Sequence, residues 1–333
     1  MNRIRIGVVG VGHLGRSHAR LLHGMPEAEL VGVADIQEAA AQETAALYQC
    51  RAFTDHRALA GLVDAVCVVV PTKQHREVAG FFLEHGIDVL VEKPITATVA
   101  EARELVQLAA RHGRILQVGH VERFNPVLRE LQTMAIRPRY VEAQRLAPFS
   151  FRSTDIGVVL DLMIHDLDLV QALLGTPVRS VEAFGGAVFT PAEDMASATV
   201  QFEGGAVAHL SASRVALRPM RRMRLFAKDG YVSLDFQTAT GVLIRKNPGW
   251  DFGKLDLSTF DRSQAGDLWK YVFEGLLHVE EFKLDAGNPL ADELLAFLHS
   301  VRDRSRPMVS GEDGLSAVET AERILESIRQ HPW

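Results

Sequence analysis

The sequence predicts a doubly wound α/β domain with a parallel sheet over residues 1–121, followed over residues 122–333 by an α+β domain with a largely antiparallel open sheet. Three observations predict this. Short apolar runs alternate with segments of helical spacing through the first third, and such runs require a parallel sheet covered on both faces. Beyond that point, alternating polar and apolar residues flank glycine turns, as antiparallel hairpins require. The chain, at 333 residues, is also too long for one average domain.

The elements follow in order. "RIRIGVVG" (residues 3–10) is a β-branched strand ending in glycine. "HLGRSHARLLHG" puts Leu14, Ala19, Leu21 and Leu22 on one side of a helix that stops at Gly24. Residues 28–35 form a second strand and residues 36–48 an alanine-rich helix. "AVCVVVP" (65–71) is the third strand, "HREVAGFFLEHG" a helix ending at Gly86, and "DVLVEKP" (88–94) the fourth strand. Thr98 and Glu101 make a capping box that opens a helix stopping at Gly113, and "RILQVGH" (114–120) is the fifth strand. In the second domain "RYVEAQRLA" and "VRSVEAFGG" are strands, two more runs flank Gly204 and Gly205, and Asp229-Gly230 turns a hairpin. Two amphipathic helices, 289–303 and 313–330, close the chain. Residues 247–288 show no clear period.

Composition excludes several classes of function. The formal net charge of −6 and the isoelectric point near 6.1 argue against a nucleic-acid binder, which would need a basic face to neutralise phosphates. Cys50 and Cys67 are the only cysteines and form no CxxC pair, which argues against a disulfide framework or a zinc ribbon. No signal-peptide pattern opens the chain, and no apolar run reaches the roughly 18 residues of a membrane span. A reducing cytoplasm is the expected compartment.

Gly10, Gly12 and Gly15 form a GxGxxG around Val11, His13 and Leu14. The motif follows a strand, opens a helix, and is followed twenty residues after Gly15 by Asp35 at the end of the next strand. That context is the dinucleotide-binding fingerprint of a Rossmann domain. Gly10 permits the tight turn, Gly12 lets a pyrophosphate reach the backbone, and Gly15 lets helix and strand pack closely. The helix N-terminus supplies N–H groups to the phosphates. Asp35 can bind ribose hydroxyls and repel a 2′-phosphate, and Ile36 beside it adds no positive charge. NAD is therefore expected rather than NADP. Asp35 can also cap the following helix.

Ligands of open parallel sheets bind beyond the carboxyl ends of the strands. Pro71-Thr72, Glu92-Lys93-Pro94 and Gly119-His120 all fall at such ends. An ammonium at Lys93 can hold a substrate hydroxyl and favour the developing alkoxide. In "VVLDLMIHDLDLV", Asp161 and His165 stand four apart on a helix, and Asp168 lies near the same face. The histidine can take an alcohol proton, and a carboxylate one turn earlier can orient it. A metal held by His165 with Asp161 or Asp168 lacks a third ligand at supporting spacing, so no metal is expected.

"GVVGVGHLGRSHA", "VPTKQH", "VEKP", "GHVERFNP" and "LDLMIHDLDL", in this order, resemble the Gfo/Idh/MocA oxidoreductases over most of the chain. The resemblance implies a nicotinamide-dependent dehydrogenase of sugars or polyols. It implies that Lys93, Asp161 and His165 form the catalytic group and that His13, Leu14, Pro71, Thr72, His75 and Glu92 join the glycines and Asp35 at the coenzyme. It also implies a cis bond before Pro94, His120 and Asn125 in the substrate pocket, and a homodimer or homotetramer formed through the second sheet. Met163 departs from the pattern, standing where many members carry glycine. The stretch "QRLAPFSFRSTDIGVVLDLMIHDLDLV" is similar to the branch that oxidises C3 of UDP-N-acetylglucosamine. A diphosphate needs cations, for which Arg145, Arg152 and Arg214 stand near the expected pocket. Arg218, Arg221, Arg222 and Arg224 form a charge run that reads as a solvated face. Inositol, a free sugar, reduction of a keto sugar and a non-catalytic nicotinamide-binding regulator stay open as alternatives.

Overall fold

The computed structural model describes residues 3–150, 156–247 and 277–331. The chain begins with alternating strands and helices: β1 (Ile4–Val9), α1 (His13–Gly24), β2 (Ala28–Ala34), α2 (Glu38–Tyr48), β3 (Arg51–Phe53), β4 (Ala65–Val68), α3 (His75–Glu84), β5 (Asp88–Glu92), α4 (Val99–His112) and β6 (Leu116–Gly119). All pair in parallel, in the order β3-β2-β1-β4-β5-β6. The strand order reverses at β1, so a crevice opens between β1 and β4 at their carboxyl ends. At α4 only half of the predicted capping box forms: the Thr98 hydroxyl accepts from Glu101 N, but the Glu101 carboxylate accepts from that hydroxyl rather than from the Thr98 N–H.

The sequence reading lacks β3. Three residues carry too little alternation to signal a strand, and this one gains its place by pairing with the Gly32 edge of β2. A Cβ on Gly32 would lie 2.8 Å from the Phe53 ring, so the glycine makes room for the strand. The third predicted strand, residues 65–71, ends early, at Val68. Val69, Val70 and Pro71 lie beyond β4 and line the crevice.

After α5 (Pro126–Thr133) the second sheet begins with β7 (Pro138–Leu146). A single π-helical turn, Val159–Met163, leads into α6 (Ile164–Leu174). There follow β8 (Val178–Gly186), β9 (Met195–Phe202), β10 (Val207–Ser213), β11 (Met220–Ala227), β12 (Gly230–Asp235), β13 (Thr240–Lys246), β14 (Leu277–Lys283), α7 (Pro289–Asp303) and α8 (Gly311–Gln330). Among the described residues the second sheet has the order β14-β13-β12-β11-β7-β10-β9-β8. Every pair is antiparallel except β7 with β10, which lie side by side in parallel. β14 falls within the stretch that showed no period. It is an edge strand with most residues exposed, so no alternation marks it.

One face of this sheet is buried by Val141, Ala143, Ala198, Leu210, Met223 and Leu225. The other stays open, with Tyr140 and Phe226 over a third exposed. The closing helices serve both sheets. α8 packs on β8, α4 and α6, whereas Leu294, Phe297, Leu298 and Val301 of α7 pack with α1 on the first sheet. Among the described residues no helix is long and apolar enough to cross a membrane.

Candidate active site

The glycine turn connects β1 to α1. Gly10 has φ 86°, and a Cβ there would meet Val69 O at 2.4 Å. A Cβ on Gly15 would sit 1.8 Å from Gly10 O, so helix and turn are packed backbone to backbone. A Cβ on Gly12 would meet nothing within 4 Å, because its Cα faces the open crevice. Gly12 is also the residue before α1, and no side chain caps the N–H groups of the first turn. Those amides are left for an anion. Asp35 closes the turn from β2, its Oδ2 accepting from Val11 N at 2.8 Å and its Oδ1 from Gln37 N at 2.9 Å. Asp35 lines the crevice but does not cap the helix as expected, because α2 starts later, at Glu38, with Gln37 as its N-cap and no side-chain cap.

The crevice encloses about 630 Å³. His13, Leu14, Pro71 and Thr72 line it together with the glycines and Asp35, and Glu92, Lys93 and Asp161 close its inner end. His75 lines it too, but both its nitrogens are taken, Nδ1 by Pro94 O at 2.9 Å and Nε2 by Val70 O at 2.9 Å. It therefore ties the two strand-end loops together and has no free nitrogen for a coenzyme. This corrects the expectation drawn from the motif. Burial lowers the pKa of its ring.

Glu92 and Lys93 diverge at the end of β5. The Glu92 side chain turns into the sheet face under α1, where its Oε1 meets His18 Nε2 at 3.0 Å and its Oε2 accepts from Lys93 N at 3.3 Å. Gly119 opposes Glu92 in the β5–β6 register, and a Cβ there would lie 2.9 Å from Oε2. His18 sits three residues beyond Gly15, on the next turn of α1, and that spacing was the signal the sequence reading passed over. Lys93 is joined to Pro94 by a cis peptide. Its Nζ donates to the backbone carbonyl of Asp161 at 2.7 Å and to Asp161 Oδ1 at 3.1 Å.

The π-helical turn carries Asp161. Both its carbonyl and its carboxylate face Lys93, and Arg214 Nη2 stands 3.8 Å from the other carboxylate oxygen. The carboxylate expected to orient His165 thus serves the lysine instead. His165, at the start of α6, is half-buried, with Nδ1 enclosed and unpartnered. Burial and the nearby Lys93 ammonium hold its pKa well below the usual histidine range, so the neutral ring, able to accept a proton, prevails. Its ring lies 6.1 Å from that of His120, edge to face.

The other predicted substrate contacts are distributed differently. Arg145 is 3% exposed and fully engaged, with Asp166 at 3.0 and 2.8 Å and Glu122 at 2.8 Å. It neutralises buried carboxylates and has no free edge for a diphosphate. Asn125 caps α5 through Val127 N at 3.2 Å and donates to Glu122 and Phe236 O, both at 3.2 Å, so it too is spent within the fold. His120 is buried beneath the site rather than in its wall. Arg152 lies outside the described residues. Asp168 is bound by Arg123 at 2.7 and 2.8 Å, and no group of three metal-ligating side chains occurs among the described residues. The arginine run of β11 divides by strand alternation. Arg222 and Arg224 pair with Asp235 and Glu142 on the open face, whereas Arg221 shares the inner face with Met223, 3.4 Å from Glu122 and half-exposed.

Comparison with known proteins agrees with this geometry. An oxidoreductase family with an NAD-binding Rossmann fold matches residues 4–120, and the GFO/IDH/MocA C-terminal domain matches residues 130–233. The chain is 44% identical over 250 residues to UDP-N-acetylglucosamine 3-dehydrogenase of Acidithiobacillus ferrooxidans, covering 75% of this chain and 79% of that one. This chain belongs to the Gfo/Idh/MocA family. A solved structure of the Acidithiobacillus ferrooxidans enzyme superposes with a TM-score of 0.87, 36% identity and 99% coverage of both chains. Inositol 2-dehydrogenase of Rhizobium meliloti is 25% identical over 344 residues, 98% of this chain and 97% of that one. As a member of the Gfo/Idh/MocA family, the protein is an NAD-dependent oxidoreductase acting on CH–OH groups. The residues fit that coenzyme, since Gly12 leaves an open cradle, the α1 amides are uncapped, and Asp35 closes the adenosine side.

Proposed function

We propose that the protein oxidises a secondary hydroxyl of a nucleotide sugar, at C3 of UDP-N-acetylglucosamine. The observation that carries the oxidation is Lys93 Nζ bound to Asp161 at the inner end of the crevice, with the neutral ring of His165 close by. The substrate is supported by the likeness to UDP-N-acetylglucosamine 3-dehydrogenase over three quarters of the chain. NAD, when bound, supplies the hydride acceptor. Gly10, Gly12, Gly15 and the α1 amides hold its pyrophosphate, and Asp35 its ribose. His165 takes the hydroxyl proton at Nε2, the ring nitrogen that is not enclosed. Lys93 holds the substrate oxygen and stabilises the charge that grows there. Asp161 fixes Lys93 through two oxygens. Arg221, a half-exposed cation on the inner sheet face, is the cation offered to a diphosphate, whereas Arg214 beside Asp161 is buried and donates to Ile156 O at 2.7 Å.

The reading also includes self-association through the open face of the second sheet. Tyr140, Phe226 and Tyr231 cluster there with centroids 5.7 and 4.9 Å apart, and light scattering reports the stoichiometry. Cys50 and Cys67 are unpaired, in keeping with a reducing cytoplasm.

The test mixes protein and NAD with UDP-N-acetylglucosamine, myo-inositol or glucose and follows nicotinamide absorbance. One arm contains a 2-oxo acid, in case reduced coenzyme stays bound. Reduction with the UDP-sugar alone is expected. Reduction with inositol alone would keep the catalytic group and discard the nucleotide sugar. Tight NAD binding without turnover of any hydroxyl compound would favour a regulator.

A further inference from the structure

Most of the buried polar atoms without a hydrogen-bond partner among the described residues lie in one place. They are Nδ1 of His165, both ring nitrogens of His120, Oε1 of Gln117, both carboxyl oxygens of Glu293 and Nδ1 of His18; only His56 and Arg245 add others elsewhere. The five residues converge from four elements. Gln117 and Gly119 share a face of β6, and the register brings Glu92 of β5 to that same face. Helices α1 and α7 cover it, bringing His18 and Glu293. The Gln117 side-chain amide donates to the Glu293 backbone carbonyl at 3.2 Å. His120 continues β6 at its carboxyl end and lies 6.1 Å, ring to ring, from His165. Glu92 and Asp168 act electrostatically on both His120 and Glu293, so these two side chains lie within reach of the same pair of carboxylates.

Seven bare polar atoms in one buried region would cost as much as a domain's entire net stability. Sites of this kind hold water that donates to and accepts from the enclosed groups. We propose that the region under the catalytic lysine holds a file of ordered water that carries the substrate's hydroxyl proton from His165 to the Glu92–His18 pair. The proposal rests on the role given to His165 above. Nδ1 of His165 is enclosed, and the file gives its proton a place to go within the fold.

The step balances without electron transfer. As Nε2 gains the hydroxyl proton, Nδ1 releases its own to the adjoining water. The water and the His120 ring each take one proton and pass one on, and His18 takes the last at its unpartnered Nδ1, leaving an imidazolium paired with the Glu92 carboxylate at 3.0 Å. Glu293 is held protonated by burial and by Glu92, so it both donates to and accepts from the file. Other charged or titratable groups acting on members of the file are Lys93, Arg145, Arg221, His75, Cys67, and Asp168 with its partner Arg123.

The test combines a structure with kinetics. A crystal structure of the protein without coenzyme should show water within hydrogen-bond distance of His165 Nδ1, His120 and Glu293; a dry region overturns the proposal. Glu293→Leu breaks the file with an apolar group, and Gln117→Leu does so from the strand side should the first variant fold poorly. Either is expected to lower kcat about tenfold, with KM and NAD affinity within about twofold. The solvent deuterium isotope effect should rise, and formate should restore part of the rate. Glu293→Gln keeps the water and should lose less. Wild-type kcat in both leucine variants, with His165→Ala inactive, overturns the relay and keeps the functional reading. No turnover of any sugar by the wild type overturns both.

Discussion

Replacing Lys93 by alanine removes an ammonium that makes two hydrogen bonds to Asp161, at 2.7 and 3.1 Å, with its side chain 19% exposed. In this partly desolvated place a charge-assisted bond to the substrate oxygen is worth about 1.5–3 kcal/mol. At about 1.4 kcal/mol per tenfold, that alone corresponds to about 10–150-fold in rate. Loss of a positioned donor to the developing alkoxide extends this, so kcat should fall about 10²–10⁴-fold. NAD affinity should change less than about threefold, because the pyrophosphate turn and Asp35 hold the coenzyme from other elements. The cost to stability is about 1 kcal/mol or less, since both partners keep contact with water. Absorbance at the nicotinamide band gives kcat and KM, and calorimetric titration gives the NAD dissociation constant. Equal losses in turnover and NAD affinity would refute the reasoning, because the lysine would then be a coenzyme ligand alone.

Gly12→Ala should leave the melting temperature unchanged and weaken NAD at least tenfold, because its methyl enters the open cradle. Gly15→Ala should destabilise the fold itself, since its Cβ would sit 1.8 Å from Gly10 O; equal melting temperatures for the two variants would contradict this account. Arg145→Met leaves Asp166 buried without its cation and Glu122 with Arg221 alone, and should cost about 3–5 kcal/mol by denaturant titration. An unchanged midpoint there would show that the network contributes nothing. The depressed pKa of His165 places the acid limb of kcat/KM below the ordinary histidine value of about 6.5, and a limb above that value would rule out His165 as the base. His75, His120 and His165 all have lowered folded pKa values, so below about pH 6.5 the unfolded chain binds protons that the folded one refuses. Stability is therefore fully present above that pH and falls as pH drops, with a shallower fall in His120→Phe.

The first domain was legible because each buried strand is a continuous apolar run ended by a glycine, a proline or a charge. Asp35, Lys93 and the glycine turn could be placed from strand ends alone. What escaped depends on geometry that spacing cannot carry. Asp161 and His165 stand four apart and so seemed paired, but a π-turn hands the carboxylate to Lys93. Arg145 looked free because Asp166 and Glu122, which consume it, arrive from other elements. Arg221 looked solvated because a run of arginines hides which of them an alternating strand turns inward. His75 and Asn125 are anchors whose polar atoms are spent on groups inside the fold, some of them distant in the chain, a use that leaves no mark in sequence.

The placement of α7 has a consequence for how the molecule is made. Leu294, Phe297 and Leu298 cover a face of a sheet whose last strand ends at Gly119. A ribosome finishes that sheet some 175 residues before it delivers the covering helix, and the whole second sheet is synthesised in between. The nascent first domain therefore waits with the face of Ile6, Val8, Cys67 and Leu90 covered by α1 but not yet by α7, a long window in which a chaperone can occupy the rest of that apolar surface. A fragment cut after residue 121 would carry that exposure permanently, so the dinucleotide-binding unit is one body in space but two pieces along the chain.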